Sequence, residues 1–147
     1  MRSIEITRVT EFDQEAFDVI SKLLLDLVSK DQLPNKQQFT ELINSQNSEL
    51  YIARITGTNK TVGTFTIGTY QIPTGKRIWI EDVVVDTEQR GKGIGRALID
   101  FAVERCEAMG GKDTRLTSRT KRVAANKLYQ SVGFERHMTN VYRRKHS

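Results

Sequence analysis

The feature that most constrains the fold is an uninterrupted succession of an apolar stretch, a glycine-rich loop and a helical pattern between residues 78 and 109. Residues 78–85 are rich in β-branched and aromatic side chains, which predict a strand. After the loop, apolar side chains recur at helical spacing up to Gly110 and Gly111, a pair that ends helices. The sequence therefore predicts a strand, a glycine loop and a helix in direct succession.

The loop combines three glycines with three basic side chains. Glycine lets the backbone approach a ligand closely, and free amide N–H groups at a helix start attract an anion, helped by nearby cations. We therefore predict a pyrophosphate-binding loop. The spacing matches neither the dinucleotide fingerprint G-x-G-x-x-G nor the nucleotide P-loop, and the remaining alternative is a turn that only joins strand to helix. The loop residues are Arg90, Gly91, Lys92, Gly93, Ile94, Gly95 and Arg96.

The pattern Arg-x-x-Gly-x-Gly within this loop resembles the acetyl-CoA loop of the GNAT N-acetyltransferase superfamily. Two further segments follow the order of that family: the strand end at residues 81–85, and residues 124–134, which are similar to its A-x-x-L-Y-x-x-x-G-F block. The resemblance covers about residues 78–134. It implies an enzyme that transfers the acetyl group of acetyl-CoA directly to a primary amine. The alternative is a non-catalytic acyl-CoA-binding or sensor module.

The element order predicts an α+β fold in one domain, residues 1–147. The resemblance implies a GNAT-like α/β/α domain whose mixed, mostly antiparallel sheet is splayed between its fourth and fifth strands. A capping pattern, Thr10-x-x-Asp13, precedes the first helix, and Pro34 opens the second. The predicted strands cover residues 4–9, 50–56, 62–70, 78–85 and 114–118, with a terminal hairpin at 134–137 and 139–142, and the predicted helices run through residues 17–28, 34–43, 94–109 and 122 or 123 to 131.

The resemblance also implies roles for individual residues. Backbone groups of Val83, Val84 and Val85 would bind the pantetheine arm, and one of their N–H groups would polarise the thioester carbonyl. Tyr129 is the candidate general acid, since a phenol with a reference pKa of ~10 stays protonated at neutral pH. The alternative role of Tyr129 is packing beside a neighbouring aromatic ring.

Glu81 is the candidate general base, because an acid inside an apolar strand must find a partner. The alternative is a structural ion pair with a basic neighbour such as Arg77. Asp82 must point to the opposite face of the strand unless a bulge intervenes.

One position departs from the family pattern. Many members place Asn seven residues before the tyrosine, where this chain has Arg122, whereas Asn126 lies three residues before Tyr129. Asn126 is a candidate ligand of the pantetheine or pyrophosphate. Arg122, with Arg119 and Lys121, is either a phosphate contact or part of a solvated basic loop.

The charge distribution favours a polyanionic ligand over nucleic acid. Residues 1–70 carry seven basic and nine acidic side chains, and residues 71–147 carry sixteen basic and nine acidic ones. The basic half contains the glycine loop, so its field would attract coenzyme A. The basic residues are scattered over different elements and form no known nucleic-acid module, so we expect no nucleic-acid partner.

The remaining sequence features bear on the cellular compartment, metal binding, the oligomeric state and the acceptor. The N-terminus lacks a signal-peptide core and no apolar run is long enough to cross a membrane, so we expect a cytoplasmic protein without membrane contact. The single Cys106 agrees with a reducing compartment, and the isolated histidines predict no metal site. A homodimer is compatible with the fold. The acceptor amine stays open, although the strand end at residues 80–86 is similar to that of glucosamine-phosphate acetyltransferases.

Overall fold

A computed structural model describes residues 3–146. Contacts divide the chain into two compact units, one ending at Thr117 and one beginning at Ser118. The first unit is built on an antiparallel sheet of order β1-β2-β3-β4. Its elements are β1 (Ile4–Arg8), α1 (Gln14–Leu24), α2 (Lys36–Asn44), β2 (Ser48–Ile55), β3 (Thr61–Ile72), β4 (Gly75–Val85) and α3 (Ile94–Ala108), with short 3₁₀ turns at Lys30–Gln32 and Thr87–Gln89. The second unit contains α4 (Val123–Ser131).

Helices cover both faces of the sheet because successive side chains of the central strand β2 point to opposite sides. Leu50 and Ile52 pack in one buried cluster with side chains of α1 and α2, including Ile20 and Phe39. On the other face Tyr51 stacks on Phe65 at 5.0 Å between ring centroids, and Phe101 of α3 meets Tyr51 edge-on at 5.4 Å. The first unit is therefore an α/β/α arrangement, as the family resemblance implies.

A partly buried ion pair joins β2 to α3 on the second face. Glu49 is only 8% exposed and accepts hydrogen bonds from Nε and Nη2 of Arg105 at 2.9 and 2.7 Å. The Tyr51 hydroxyl donates to the same carboxylate at 2.6 Å, and Arg8 of β1 lies 3.6 Å away. The Arg105 hydrogen bonds are the main reason why the pKa of Glu49 falls to about 2. The sequence pattern gave no sign of this cluster.

The first two helices differ from prediction at their ends. Asp13 itself caps α1 by accepting the N–H of Ala16, and the helix ends at Leu24 instead of continuing to Val28. The N–H groups of residues 25–27 donate to carbonyls three residues back, which ends the regular α-helix. Asn35 forms a capping box with Gln38, so α2 begins after Asn35 and not at Pro34.

The prediction of a fifth strand at residues 114–118 is wrong, because Arg115 is the only one of these residues that pairs with the sheet. Its N–H donates to the Ile78 carbonyl at 3.0 Å and its carbonyl accepts from the Ile80 N–H at 2.9 Å, which makes one parallel bridge to β4. Two bonds at a single residue do not build a ladder.

The predicted terminal hairpin is also wrong. Residues 134–137 and 139–142 contain no strand, and Met138, Val141 and Tyr142 are 89, 79 and 88% exposed. A two-stranded hairpin without a third strand or an apolar surface beneath it is only marginally stable, so alternation alone does not produce one. The helix predicted just before this segment is confirmed as α4.

Candidate functional site

The glycine loop adopts the conformation that an anion-binding backbone requires. Gly91 and Gly93 have φ angles of 78° and 79°, in the left-handed region that other residues rarely adopt, and Gly93 is the N-cap of α3. Within residues 3–146 no acceptor receives the amide N–H groups of residues 91–96. The amides of residues 94–96 lie in the first turn of a 15-residue helix, at its positive end, so the loop has free donors for a phosphate or pyrophosphate.

The three basic side chains of the loop each contact a neighbouring polar group. Arg90 donates to Asp26, just after α1, at 2.5 Å, and Arg96 lies 3.9 Å from Asp100 one turn along α3. Lys92 donates to the side-chain oxygen of Gln89 at 3.2 Å. Gln89 is only 5% exposed, so this hydrogen bond attaches the loop to a buried side chain. Sequence reasoning missed Gln89 and Asp26, since neither position carries a pattern that points to the loop.

A β-bulge interrupts β4 next to the loop. Thr66 of β3 pairs with Glu81 and Thr64 pairs with Val84, so Asp82 and Val83 together lie opposite one residue of β3. Asp82 has φ 51°, and it is the only described non-glycine residue with a positive φ. The bulge removes the strict alternation that would place the side chains of Glu81 and Asp82 on opposite faces.

Beyond the bulge, β4 has an open edge. Val84 pairs with Thr64, and the Asp86 N–H donates to the Val62 carbonyl at 2.8 Å, so Val84 and Asp86 direct their backbone groups toward β3. By alternation, the backbone groups of Val83 and Val85 point to the opposite edge. No strand among the described residues pairs with that edge. Two of the three predicted backbone ligands therefore face it, and Val84 does not.

Glu81 lies on this strand with an exposed, unpaired carboxylate. No cation of the described residues lies within ion-pair distance, so the alternative of a pair with Arg77 is not realised. Partial burial, with a smaller contribution from the charge of Asp82, raises the pKa of Glu81 above its usual value. A carboxylate with a raised pKa is a better proton acceptor.

The second unit holds Tyr129 at the end of α4. Its ring is 7% exposed and packs edge-on against Phe134, with centroids 6.2 Å apart. The N–H of Phe134 donates to the Tyr129 carbonyl and that of Gly133 to the Gln130 carbonyl, which is a Schellman helix end. Gly133 has φ 100°, which explains the glycine of the L-Y-x-x-x-G-F block. Burial raises the pKa of Tyr129, so its phenol stays protonated at neutral pH.

Asn126 and Arg122 lie at the N-terminal end of α4, and the Arg122 side chain lies close enough to the Tyr129 phenol to oppose the rise in its pKa. The amide of Asn126 donates to the Arg119 carbonyl at 3.0 Å and fixes the turn before α4. Arg122 is the N-cap residue of that helix, without a side-chain capping bond. Among residues 3–146, no three His, Cys, Asp or Glu side chains form a group that could hold a metal, and no helix is long and apolar enough to span a membrane.

Comparison with known families identifies the class of protein to which this geometry belongs. The model of the acetyltransferase (GNAT) family matches residues 13–134. The chain therefore belongs to the GNAT acetyltransferase family. A relative, the glucosamine 6-phosphate N-acetyltransferase of Arabidopsis thaliana, is 47% identical over 36 residues, which are 24% of this chain and 24% of that protein. The match thus spans only about a quarter of the relative.

Solved structures agree on the fold. An aminoglycoside acetyltransferase from an uncultured soil metagenomic sample superposes with a TM-score of 0.83 at 21% identity, over 97% of each chain. The Arabidopsis thaliana glucosamine-6-phosphate N-acetyltransferase gives 0.76 at 20% identity, over 97% of this chain and 98% of that one. A ribosomal-protein-alanine N-acetyltransferase from Brucella melitensis biovar Abortus 2308 also gives 0.76 at 20% identity, over 98 and 100%. At these identities the likeness establishes an α+β fold of the GNAT type.

Proposed function

We propose that the chain is an acetyl-CoA-dependent N-acetyltransferase that transfers the acetyl group directly to a primary amine. The observation that carries the proposal is the set of unbonded amides at residues 91–96, held by left-handed Gly91 and Gly93 beside the open edge of β4. Membership of the GNAT family supports acetyl-CoA as the cosubstrate.

The loop and the strand edge bind different parts of acetyl-CoA. The amides of residues 91–96 receive the pyrophosphate, with Lys92 and Arg96 adding positive charge. The backbone groups of Val83 and Val85 hold the extended pantetheine arm as an added strand would be held. Arg90 acts through its ion pair with Asp26, which fixes the position of the loop. Asn126 orders the turn before α4 in the unit that holds Tyr129.

Two side chains move the protons. Glu81, directly or through a water molecule, takes a proton from the acceptor ammonium, and the freed amine attacks the thioester carbonyl carbon. An N–H of the β4 edge stabilises the charge that develops on the carbonyl oxygen. As the carbon–sulfur bond breaks, the Tyr129 phenol gives its proton to the departing sulfur. As the tetrahedral intermediate collapses, the nitrogen releases its second proton to solvent, and Tyr129 is reprotonated from solvent. The products are an acetylated amine and free coenzyme A.

We also propose that residues 1–147 act as one acetyltransferase domain in the cytoplasm, and that the sheet opens between β4 and the Arg115 segment where the pantetheine arm enters. A homodimer and the absence of metal and nucleic acid from the reaction stay predictions from the sequence.

Thermal unfolding with acetyl-CoA tests the proposal first. Ligand at one hundred times its dissociation constant adds about 2.7 kcal/mol of stability, which for a chain of this size raises the midpoint by about 5–10 °C. Dephospho-coenzyme A, NAD and ATP serve as comparison ligands. No rise with acetyl-CoA, or an equal rise with every nucleotide, contradicts the proposal. Thiol release with a panel of primary amines then separates an enzyme from a sensor that only binds acyl-CoA.

Gly93→Ala isolates the contribution of the loop. It strains a left-handed backbone and is expected to weaken acetyl-CoA binding by about tenfold or more, since hydrogen bonds to a charged group are lost. Gly57→Ala is the matched control, because Gly57 has φ 81° in the turn between β2 and β3, outside the loop. Both variants should lose about 1 kcal/mol of stability, and only Gly93→Ala should lose affinity. Equal affinities would refute the role of the loop.

Tyr129→Phe tests the general acid. We expect a decrease in kcat of about a hundredfold with little change in acetyl-CoA affinity. Tyr142→Phe is the control, since Tyr142 is a phenol of the same unit that is 88% exposed. A sensor would show no such decrease because it has no turnover to lose.

A further inference from the structure

Arg122 and Tyr129 lie on one side of α4, at its start and near its end. They are seven residues apart, which is close to two helical turns, so their side chains leave the helix axis in nearly the same direction. Side chains of a helix lean toward its N-terminus, so the Tyr129 phenol is directed back along the helix toward Arg122. Within residues 3–146 the Tyr129 hydroxyl has no hydrogen-bond partner. Arg122 thus lies ahead of a phenol whose hydroxyl is not otherwise bonded.

Three hydrogen bonds around Asn126 fix the backbone of Arg122. The Asn126 side-chain amide donates to the Arg119 carbonyl at 3.0 Å, and the same carbonyl accepts the Arg122 N–H at 3.0 Å. The Asn126 N–H donates to the Arg122 carbonyl, also at 3.0 Å. Arg122 is thereby bonded on both sides of its Cα. Its side chain starts from a fixed point, which is the condition for holding a partner in place.

The Arg122 guanidinium has no anionic partner in the part of the chain that the structure describes. The residue is half-buried, forms no ion pair and makes no side-chain capping bond. A cation at the start of a helix also faces the positive end of the helix dipole, which disfavours it. Negative charge would offset both effects, and it arises beside Arg122 when Tyr129 gives up its proton. Burial raises the pKa of the Tyr129 phenol, and the charge of Arg122 opposes that rise.

We propose that Arg122 is the positioning residue of the general acid: its guanidinium holds the Tyr129 phenol in place and stabilises the negative charge that develops on the phenol oxygen. The O–H bond of Tyr129 breaks as an S–H bond forms on the departing sulfur, and the electron pair stays on the phenol oxygen until a proton returns from solvent. Arg122 keeps its own protons throughout, because a guanidinium does not titrate in proteins. This inference rests on the proposed function, in which Tyr129 donates the proton.

Arg122→Gln removes this charge, and Lys127→Gln is the matched control, since Lys127 is a cation exposed on the same helix. Acetyl-CoA and the primary amine that gives the fastest thiol release are the substrates. We expect Arg122→Gln to lower kcat by about tenfold, the usual effect of losing an interaction with a charged group, and to leave the KM for acetyl-CoA unchanged. Arg122→Lys keeps the charge and should retain most of the kcat. An Arg122→Lys variant as slow as Arg122→Gln, or a raised KM for acetyl-CoA with an unchanged kcat, would overturn the assignment.

The pH profile of kcat gives a readout that a purely structural role would not move. Among the described groups, Arg122 is the only charged side chain that acts on the Tyr129 phenol, and the ring packed against it, Phe134, is uncharged. A cation stabilises the phenolate, so Arg122→Gln should raise the pKa of the phenol further. The alkaline decrease of kcat, where the acid loses its proton, should therefore move to higher pH. A decrease that stays at the same pH would contradict the proposed role.

Tyr129→Phe separates an effect on the phenol from an effect elsewhere. Without the phenol there is no proton transfer for Arg122 to assist, so Arg122→Gln should lower kcat no further in the Tyr129→Phe background. An equal fold-loss in both backgrounds would refute the coupling between the two residues. Absence of turnover with every amine would overturn both this inference and the proposed function, whereas normal turnover by Arg122→Gln would overturn this inference alone.

Discussion

Replacing Glu49 by glutamine tests how strongly the partly buried ion pair with Arg105 stabilises the first unit. The pKa of Glu49 falls from 4.5 to about 2, chiefly because of the hydrogen bonds from Arg105, against the opposing effect of burial. Since one pKa unit corresponds to ~1.4 kcal/mol, the charged carboxylate contributes at most about 3 kcal/mol to the free energy of unfolding. The Arg105 side chain is 38% exposed, so solvent screening reduces this to about 2 kcal/mol.

Glu49→Gln should therefore lower the thermal midpoint at pH 7 by about 4–8 °C. Glu104→Gln is the control, because Glu104 is exposed on α3 next to Arg105 and has no ionic partner among the described residues. It should change the midpoint by less than about 1 °C, as surface substitutions usually do.

The pH dependence gives a sharper test than the midpoint alone. A carboxylate whose pKa is lowered by folding stabilises the protein fully above its unfolded pKa and loses that effect as the pH falls through its folded pKa. The stability difference between the wild-type protein and Glu49→Gln should stay constant from pH 7 to about 5.5 and shrink between pH 4.5 and 2. Urea unfolding across this range measures it. A difference that stays constant down to pH 2.5 would refute the reasoning.

Three further changes follow from the site and the helix end. Asp82→Asn keeps a residue type that adopts the left-handed backbone and removes the charge that helps to raise the pKa of Glu81. The pH at which kcat/KM falls on the acid side should therefore decrease. An unchanged pH profile would mean that burial alone raises the pKa of Glu81. Gly133→Ala should cost about 1 kcal/mol of stability, measured by urea unfolding, because φ 100° disfavours a side chain, and no loss would contradict the Schellman assignment. Asp26→Asn removes the ion pair that fixes the loop, so calorimetry should show acetyl-CoA binding several-fold weaker; tighter binding would instead show that Arg90, once freed, meets the pyrophosphate itself.

The strand, loop and helix between Gly75 and Ala108 were predictable because their signals are local. Apolar periodicity and glycine positions are properties of adjacent residues, and the same holds for α4. The sequence analysis named a bulge at Asp82 only as an exception to the alternation of side chains. An extra residue in β4 changes the pairing with β3 and leaves the composition of the strand unchanged, so the sequence alone does not reveal it.

The wrong strand predictions and the missed ion pairs depend on partners far away in the sequence. Residues 114–118 have strand-like composition, but pairing needs a continuous neighbour and only Arg115 has one. Residues 134–142 alternate like a hairpin without an apolar surface to cover. The contacts of Glu49 with Arg105 and of Arg90 with Asp26 join residues more than fifty positions apart, so no local pattern announces them.

The open edge of β4 also bears on aggregation. An unpaired strand edge that accepts an extended ligand accepts the edge of another polypeptide equally well. Asp82 and Asp86 stand at the two ends of the unpaired stretch that contains Val83 and Val85, so an approaching strand would meet an acidic residue at either end. Charges on an edge are a known way to prevent intermolecular pairing. Asp82, with its left-handed backbone, thus places a negative charge at the bulge. An uncharged residue at this position would leave the strand edge more prone to self-association.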